Sequence, residues 1–275
     1  MAGEQTTMRE LELAKQAAIA GGDILTRYFK GGLPQARQKD PAKTYDLVSQ
    51  ADLESEETIV RLIRDAFPDH EILAEEGQRG ATDAEHLWVV DPLDGTTNFL
   101  HQIPHYAVSI AYYRNGQAIC GVVYNPSRND WYEAVQGQGA RYQGEPIHVA
   151  KNSRLDESLV GIGFYYDRGA MMQATLDATR ELFEQQIHGI RRFGTASLDL
   201  AQVATGAIGA YFEYELSPWD FAAGRLLVEE AGGKVTDCRG DGLQLKKGGV
   251  LASNTLLHPA VLAITRKHFP SVGCE

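Results

Sequence analysis

The sequence has little of what would tie a chain of 275 residues to a membrane, a nucleic acid or an oxidising compartment. Its three cysteines, Cys120, Cys238 and Cys274, are widely spaced and form no C-x-x-C pair, which argues against a zinc cluster or a disulfide framework and suits a reducing cytoplasm. Positive charge is scarce too: 26 Lys and Arg against 37 Asp and Glu leave a formal net charge of -11, the wrong field for general binding to nucleic acid or anionic lipid. No run approaches the ~18 apolar residues of a membrane span. Met1-Ala2-Gly3-Glu4-Gln5 has no basic stretch leading into an apolar one, so the expectation is a soluble, unexported, cytoplasmic protein. The eight histidines lack H-x-x-H or H-E-x-x-H spacing and read as structural or surface groups. There is no internal repeat, low-complexity tract or composition-marked linker.

What is present begins with helical periodicity. Met8, Leu11, Ala14, Ala18, Leu25, Tyr28 and Phe29 recur at helical spacing, predicting a helix from Thr7 to Lys30 that Gly31-Gly32 ends. A second helix is predicted from about Ser49 to Phe67, opened by the capping-box pattern Ser49-x-x-Asp52 and closed before Pro68, with a polar loop at Lys39 to Tyr45 between the two. From Glu71 to Ala150 short β-rich runs alternate with turns such as Asn115-Gly116 and Gly144-Glu145, predicting an antiparallel meander. After Lys151 strands near 159–164, 190–193, 210–213, 235 and 250 alternate with helices near 171–186, 196–205, 219–231 and 255–268, as in a sheet covered by helices. The expected organisation is residues 1–150, a helix pair with an antiparallel sheet, and residues 151–275, an alternating α/β part, together one compact catalytic unit large enough for a sizeable core.

The most informative segment is Asp91-Pro92-Leu93-Asp94-Gly95-Thr96-Thr97-Asn98, which follows the apolar run Leu87-Trp88-Val89-Val90. Two carboxylates three positions apart at a strand end repel each other, and partial burial sharpens the repulsion, so a cation between them relieves the arrangement. All-oxygen ligands favour Mg²⁺ or Mn²⁺. Gly95 and Thr96 can turn backbone N–H groups toward a phosphate. An Asp-Gly turn closing a strand is the plainer alternative. Two further acidic places bear on the choice: Glu71-Ile72-Leu73-Ala74-Glu75-Glu76-Gly77, a short strand ending in paired glutamates, and Ser217-Pro218-Trp219-Asp220-Phe221-Ala222-Ala223-Gly224, an aspartate at a helix start.

Taken in order, the E-E strand end, D-P-[IL]-D-G-T-T-N-F and W-D-x-A-A-G resemble the inositol monophosphatase family in its bacterial form, over about Leu11 to His268. The resemblance implies an α+β or α/β fold, the layered α-β-α-β-α sandwich shared with fructose-1,6-bisphosphatase, with the metal site between the two halves. It implies two to three Mg²⁺ ions: Glu75, Asp91 and the Leu93 carbonyl for one, Asp91, Asp94 and Asp220 for a second, with Asp91 bridging. It implies Thr96 as the group orienting the attacking water, Asp52 as its support and Glu75 as proton acceptor. From spacing alone, Asp52 also reads as a first-turn capping acid. Either Lys39 or Lys43 could meet the family's loop lysine. For substrate the resemblance implies Asp94, Gly95, Thr96, Gly194, Thr195, Ala196 and Glu213, whereas Arg191 to Ala196 read alone is an ordinary β-to-α connection. It further implies hydrolysis of myo-inositol 1-phosphate, lithium sensitivity and a homodimer. Same-fold phosphatases acting on fructose 1,6-bisphosphate, NADP, nucleotide 3′-phosphates or histidinol phosphate are the near alternatives, and a regulatory RNA- or protein-binding member of the fold is the distant one.

Overall fold

The computed structural model describes residues 2–31, 37–38, 47–48, 50–164 and 168–270. Lys39, Lys43 and Ser49 lie outside the described residues.

Helix α1 (Ala2–Gly31) starts a turn and a half before the apolar stripe does. A short antiparallel pair, β1 (Arg37–Gln38) and β2 (Leu47–Val48), precedes α2 (Gln50–Ala66). The first large sheet has seven strands in chain order: β3 (Glu71–Ala74), β4 (His86–Asp94), β5 (Ala107–Arg114), β6 (Gln117–Asn125), β7 (Asp130–Val135), β8 (Gly139–Tyr142) and β9 (Glu145–Ile147), with the short helix α3 (Thr96–Leu100) between β4 and β5. It departs from the predicted meander at one edge, since β3 runs parallel to β4. The eleven-residue connection 75–85 carries the chain back to β4's start, so no hairpin is formed there. Elsewhere the pairing is antiparallel, and Asn115-Gly116 turns β5 into β6 with φ values of 50° and 73°.

The second sheet is built from β10 (Leu159–Ile162), β11 (Gly189–Arg191), β12 (Ala210–Leu216), β13 (Gly233–Thr236) and β14 (Gly248–Asn254) in the order β11-β10-β12-β14-β13. Its first three strands are parallel and its last two antiparallel. Helices α4 (Ala170–Glu184), α5 (Ala196–Ala204) and α6 (Pro218–Glu230) occupy connections between its strands, and α7 (His258–Lys267) follows β14. The last begins three residues later than the periodicity suggested, because the Asn254 side chain accepts the Leu257 N–H and holds 254–257 as a turn.

Burial sorts these elements into five layers. Trp88 and Val90 of β4 and Val108, Ile110 and Tyr112 of β5 face α1 and α2, whereas Leu87, Val89, Ala111 and Tyr113 face the helices between the sheets. Both faces of the sheet are therefore covered, and β4 reads as a continuous apolar run rather than an alternating one. In β12, Tyr211 packs toward α5 and α6 while Ala210, Phe212 and Tyr214 pack toward α4 and α7. The observed order, α1/α2, seven strands, α5/α6, five strands, α4/α7, is the α-β-α-β-α sandwich.

Candidate active site

The site gathers at the C-terminal end of β4, where regular pairing breaks. Asp91 pairs with Ser109 and Asp94 with Ala107, so two residues of β4 oppose one of β5, and Pro92, which has no N–H to give the ladder, occupies the bulge. The irregularity turns successive side chains out of strict alternation. Asp91 Oδ1 accepts the Leu93 N–H at 3.0 Å. Gly95 then takes φ 91°, and a Cβ there would press on the Thr195 hydroxyl and the His105 carbonyl, so only glycine fits.

Asp94 is held from across the molecule, its Oδ2 accepting the Ser197 N–H at 2.7 Å and the Ser197 hydroxyl at 2.6 Å in the first turn of α5. Asp220 lies in the first turn of α6 and accepts the Ser217 N–H at 2.6 Å, the reach-back half of a capping box. Glu75 follows β3, and its charge bears on Asp91.

The charges are arranged against one another. Burial first, then Glu75, Asp94 and Asp220, push the Asp91 carboxyl well above the usual carboxylate range, and no cation is among the main influences on it. Burial, then Asp94 and Glu75, raises Asp220 as well, against the pull of the Ser217 N–H. Asp94 is pushed up to about 6 by burial, with the Ser197 hydroxyl and amide opposing. Acids set so closely against one another are the donor set of a hard divalent cation. Among the described residues no three such groups close into a ready coordination cage.

Thr96 opens α3, its hydroxyl 3.2 Å from Asp52 Oδ1 and 3.1 Å from the Leu93 carbonyl. Asp52 is fully buried, in the first turn of α2. As a carboxylate it can only accept, so a Thr96 hydroxyl donating to it keeps its lone pairs free for another donor. Glu213 is buried on β12 and accepts the Tyr211 hydroxyl at 2.8 Å. Burial pushes its carboxyl up to about 7, opposed by Tyr211 and Arg192. The loop at 193–195 is tied to the site by Asn98, whose amide donates to the Phe193 carbonyl at 2.8 Å and the His105 carbonyl at 2.9 Å, and by Thr195, whose hydroxyl donates to the His105 carbonyl at 2.9 Å. Gly194 has φ 87°, and Ala196 begins α5.

Thus every expected site residue is described and each lies on the segments just set out; only the choice between Lys39 and Lys43 falls outside. Sequence reasoning missed Ser197, Asn98 and the buried Asp199, one of whose carboxylate oxygens has no hydrogen-bond partner among the described residues and whose pKa is raised by burial and by Asp94 and Glu213. Asn98 stood inside the motif, but its bonds to two distant carbonyls were not legible there. A groove of ≈ 480 Å³ between α2 and residues 76–78 contains none of Asp91, Asp94, Thr96, Glu213 or Asp220 and is not the site argued here.

A family model described as the inositol monophosphatase family matches residues 7–269. The chain belongs to that family. Among its relatives, a Pseudomonas aeruginosa protein named Nus factor SuhB is 41% identical over 267 residues, covering 94% of this chain and 97% of that one. Among solved structures, the extragenic suppressor protein suhB of Bartonella henselae superposes with a TM-score of 0.87 at 37% identity, covering 94% and 99% of the two chains. The inositol monophosphatase of Anabaena (Nostoc) sp. PCC 7120 gives 0.82 at 39% identity, covering 96% and 98%. The layered sandwich of this chain is thus the fold of the inositol monophosphatase family.

Proposed function

We propose that the chain is a Mg²⁺-dependent phosphomonoesterase that hydrolyses a small polyol monophosphate, myo-inositol 1-phosphate foremost. The observation that carries the reading is the convergence of Glu75, Asp91, Asp94 and Asp220, where burial and the neighbouring acids raise the pKa of Asp91 and Asp220, beside the Thr96–Asp52 contact. Glu75, Asp91, the Leu93 carbonyl, Asp94 and Asp220 would hold two to three Mg²⁺ ions, with Mn²⁺ an acceptable substitute. Bound there, the ions would neutralise the phosphate and favour hydroxide from water at neutral pH. Thr96, donating to Asp52, takes a hydrogen of the attacking water on its lone pairs and so orients it, while Glu75 accepts the proton released. The amides of Gly95 and Thr96 stand ahead of the first intrahelical bond of α3, Phe99 N–H to the Gly95 carbonyl, and can meet phosphate oxygens. Gly194, Thr195 and Ala196 offer backbone groups to the polyol, and Glu213 accepts its hydroxyls.

The test is phosphate release from inositol 1-phosphate, fructose 1,6-bisphosphate, NADP, a nucleotide 3′-phosphate and histidinol phosphate, each with Mg²⁺, with EDTA and with added Li⁺. Inositol 1-phosphate should be turned over fastest, with EDTA abolishing and Li⁺ inhibiting the reaction. Robust turnover in excess EDTA would sink the reading, and a faster rate on another ester would move the substrate.

A second reading, a role as a Nus factor, is favoured by the name of the Pseudomonas aeruginosa relative at 41% identity. The two roles separate in Asp91→Asn, which should lose turnover yet still complement a host lacking its own SuhB. We also expect a homodimer in the cytoplasm. Among the described residues no helix is long and apolar enough to cross a membrane.

A further inference from the structure

Three buried polar side chains follow one another along the inner edge of α2, and each meets a different segment of the site. Asp52 faces Thr96, Ser55 donates to the Pro92 carbonyl at 3.1 Å, and Glu56 accepts the Glu76 N–H at 2.7 Å. The Glu56 carboxylate is 5% exposed, and a Cβ added at Gly77 would come within 3.1 Å of its other oxygen. Residues 75–77 form the tip of a loop closed behind them by the Ala74 N–H to the Gln78 carbonyl at 3.0 Å and the Gly80 N–H to the Ile72 carbonyl at 2.8 Å. The tip's carbonyl side is gripped by Arg79, which reaches the Ala74 carbonyl at 2.8 Å and the Glu75 carbonyl at 3.2 Å. Its amide side is gripped by Glu56.

We propose that Glu56 is a positioning residue for the metal site: by clamping the amide of Glu76 it fixes the direction in which Glu75 leaves the loop, toward Asp91. The inference rests on the reading of Glu75 as a metal ligand. A carboxylate is a costly choice for this place, since it is buried and shares its surroundings with the negative charge of Glu75. An apolar residue would pack there without that cost, so a buried charge aimed at a loop amide marks a place where geometry has been kept in preference to stability. Groups that orient metal ligands typically contribute ~10–100-fold to affinity.

The experiment is Mn²⁺ binding to the full chain without substrate, followed by the electron paramagnetic resonance of free Mn²⁺, for wild type, Glu56→Ala, Glu75→Ala and the double variant, with circular dichroism of each. Glu56→Ala should weaken the Glu75-dependent Mn²⁺ site by ~10-fold or more while remaining folded. In the Glu75→Ala background it should have no further effect. Should Glu56→Ala not fold, Glu56→Gln, which loses one of two acceptor oxygens at unchanged volume, should show a smaller loss in the same direction. Unchanged Mn²⁺ affinity in a folded Glu56 variant, or losses at Glu56 and Glu75 that add fully, would overturn the clamp. A wild-type chain with no Glu75-dependent Mn²⁺ site would overturn the metal reading itself, and the clamp with it.

Discussion

Thr96 offers one hydroxyl hydrogen to two acceptors, Asp52 and the Leu93 carbonyl, and the choice between them decides where its lone pairs point. If the charged partner wins, Thr96→Ala should lower kcat by ~10²-fold or more with little change in KM, because an oriented water matters mainly in the transition state. Asp52→Asn should move kcat in the same direction, and steady-state kinetics of the double variant should show no loss beyond the worse single one. Fully additive losses would count against the pair. Glu213 tests recognition separately: Glu213→Ala should raise KM for inositol 1-phosphate by ~1.5–3 kcal/mol, the contribution of a charged hydrogen-bond partner, and cost less on glycerol 2-phosphate. An equal loss on an aryl phosphate without hydroxyls would make Glu213 structural. The acids of this site were legible in the sequence because cation binding demands carboxylates in tight spacing. Ser197 and Glu56 were not, since each acts on a segment more than ten residues away and no local pattern announces such a partner.

At the scale of elements, α1 and α2 were legible because an amphipathic helix repeats its apolar side chains every three to four residues regardless of what it packs on. The strand direction of β3 and the five-residue helix α3 were not, because chain direction depends on where a connection returns and a single turn carries no periodicity. Helix α1 also holds a charge that periodicity treats as ordinary. Glu10 is 1% exposed, one of its oxygens has no hydrogen-bond partner among the described residues, and burial raises its pKa against the pull of a backbone N–H, Arg114 and Arg9. An acid whose folded pKa is raised leaves the fold most stable below the unfolded value of 4.5, and the stability is lost as pH rises through the raised value. Glu10→Gln should therefore raise Tm at pH 8 and change it little near pH 4. Thermal melts at the two values check the sign, and a variant destabilised at both would mean that Glu10 is satisfied by a bond in the folded chain.

For the whole molecule, the change of texture near residue 150 was legible, yet it does not mark separate cores. Leu87, Val89, Tyr113 and Ala134 of the first half share one buried cluster with Leu198, Leu200, Phe221 and Val250 of the second. We read the chain as one cooperative unit, for which calorimetry should show a single transition with equal calorimetric and van't Hoff enthalpies. Two resolved transitions would contradict it. The middle layer sets a tempo as well as a place. No residue of α6 is exposed, and α5 and α6 are enclosed by strands of both sheets, so solvent reaches their amides only when the two sheets part. Those amides should be the last to exchange in deuterium. Asp220 and the Ser197 that holds Asp94 stand on the slowest ground in the molecule, whereas Glu75 rides on a loop at the sheet's edge and owes its place to the grip of Arg79 and Glu56 rather than to the middle layer.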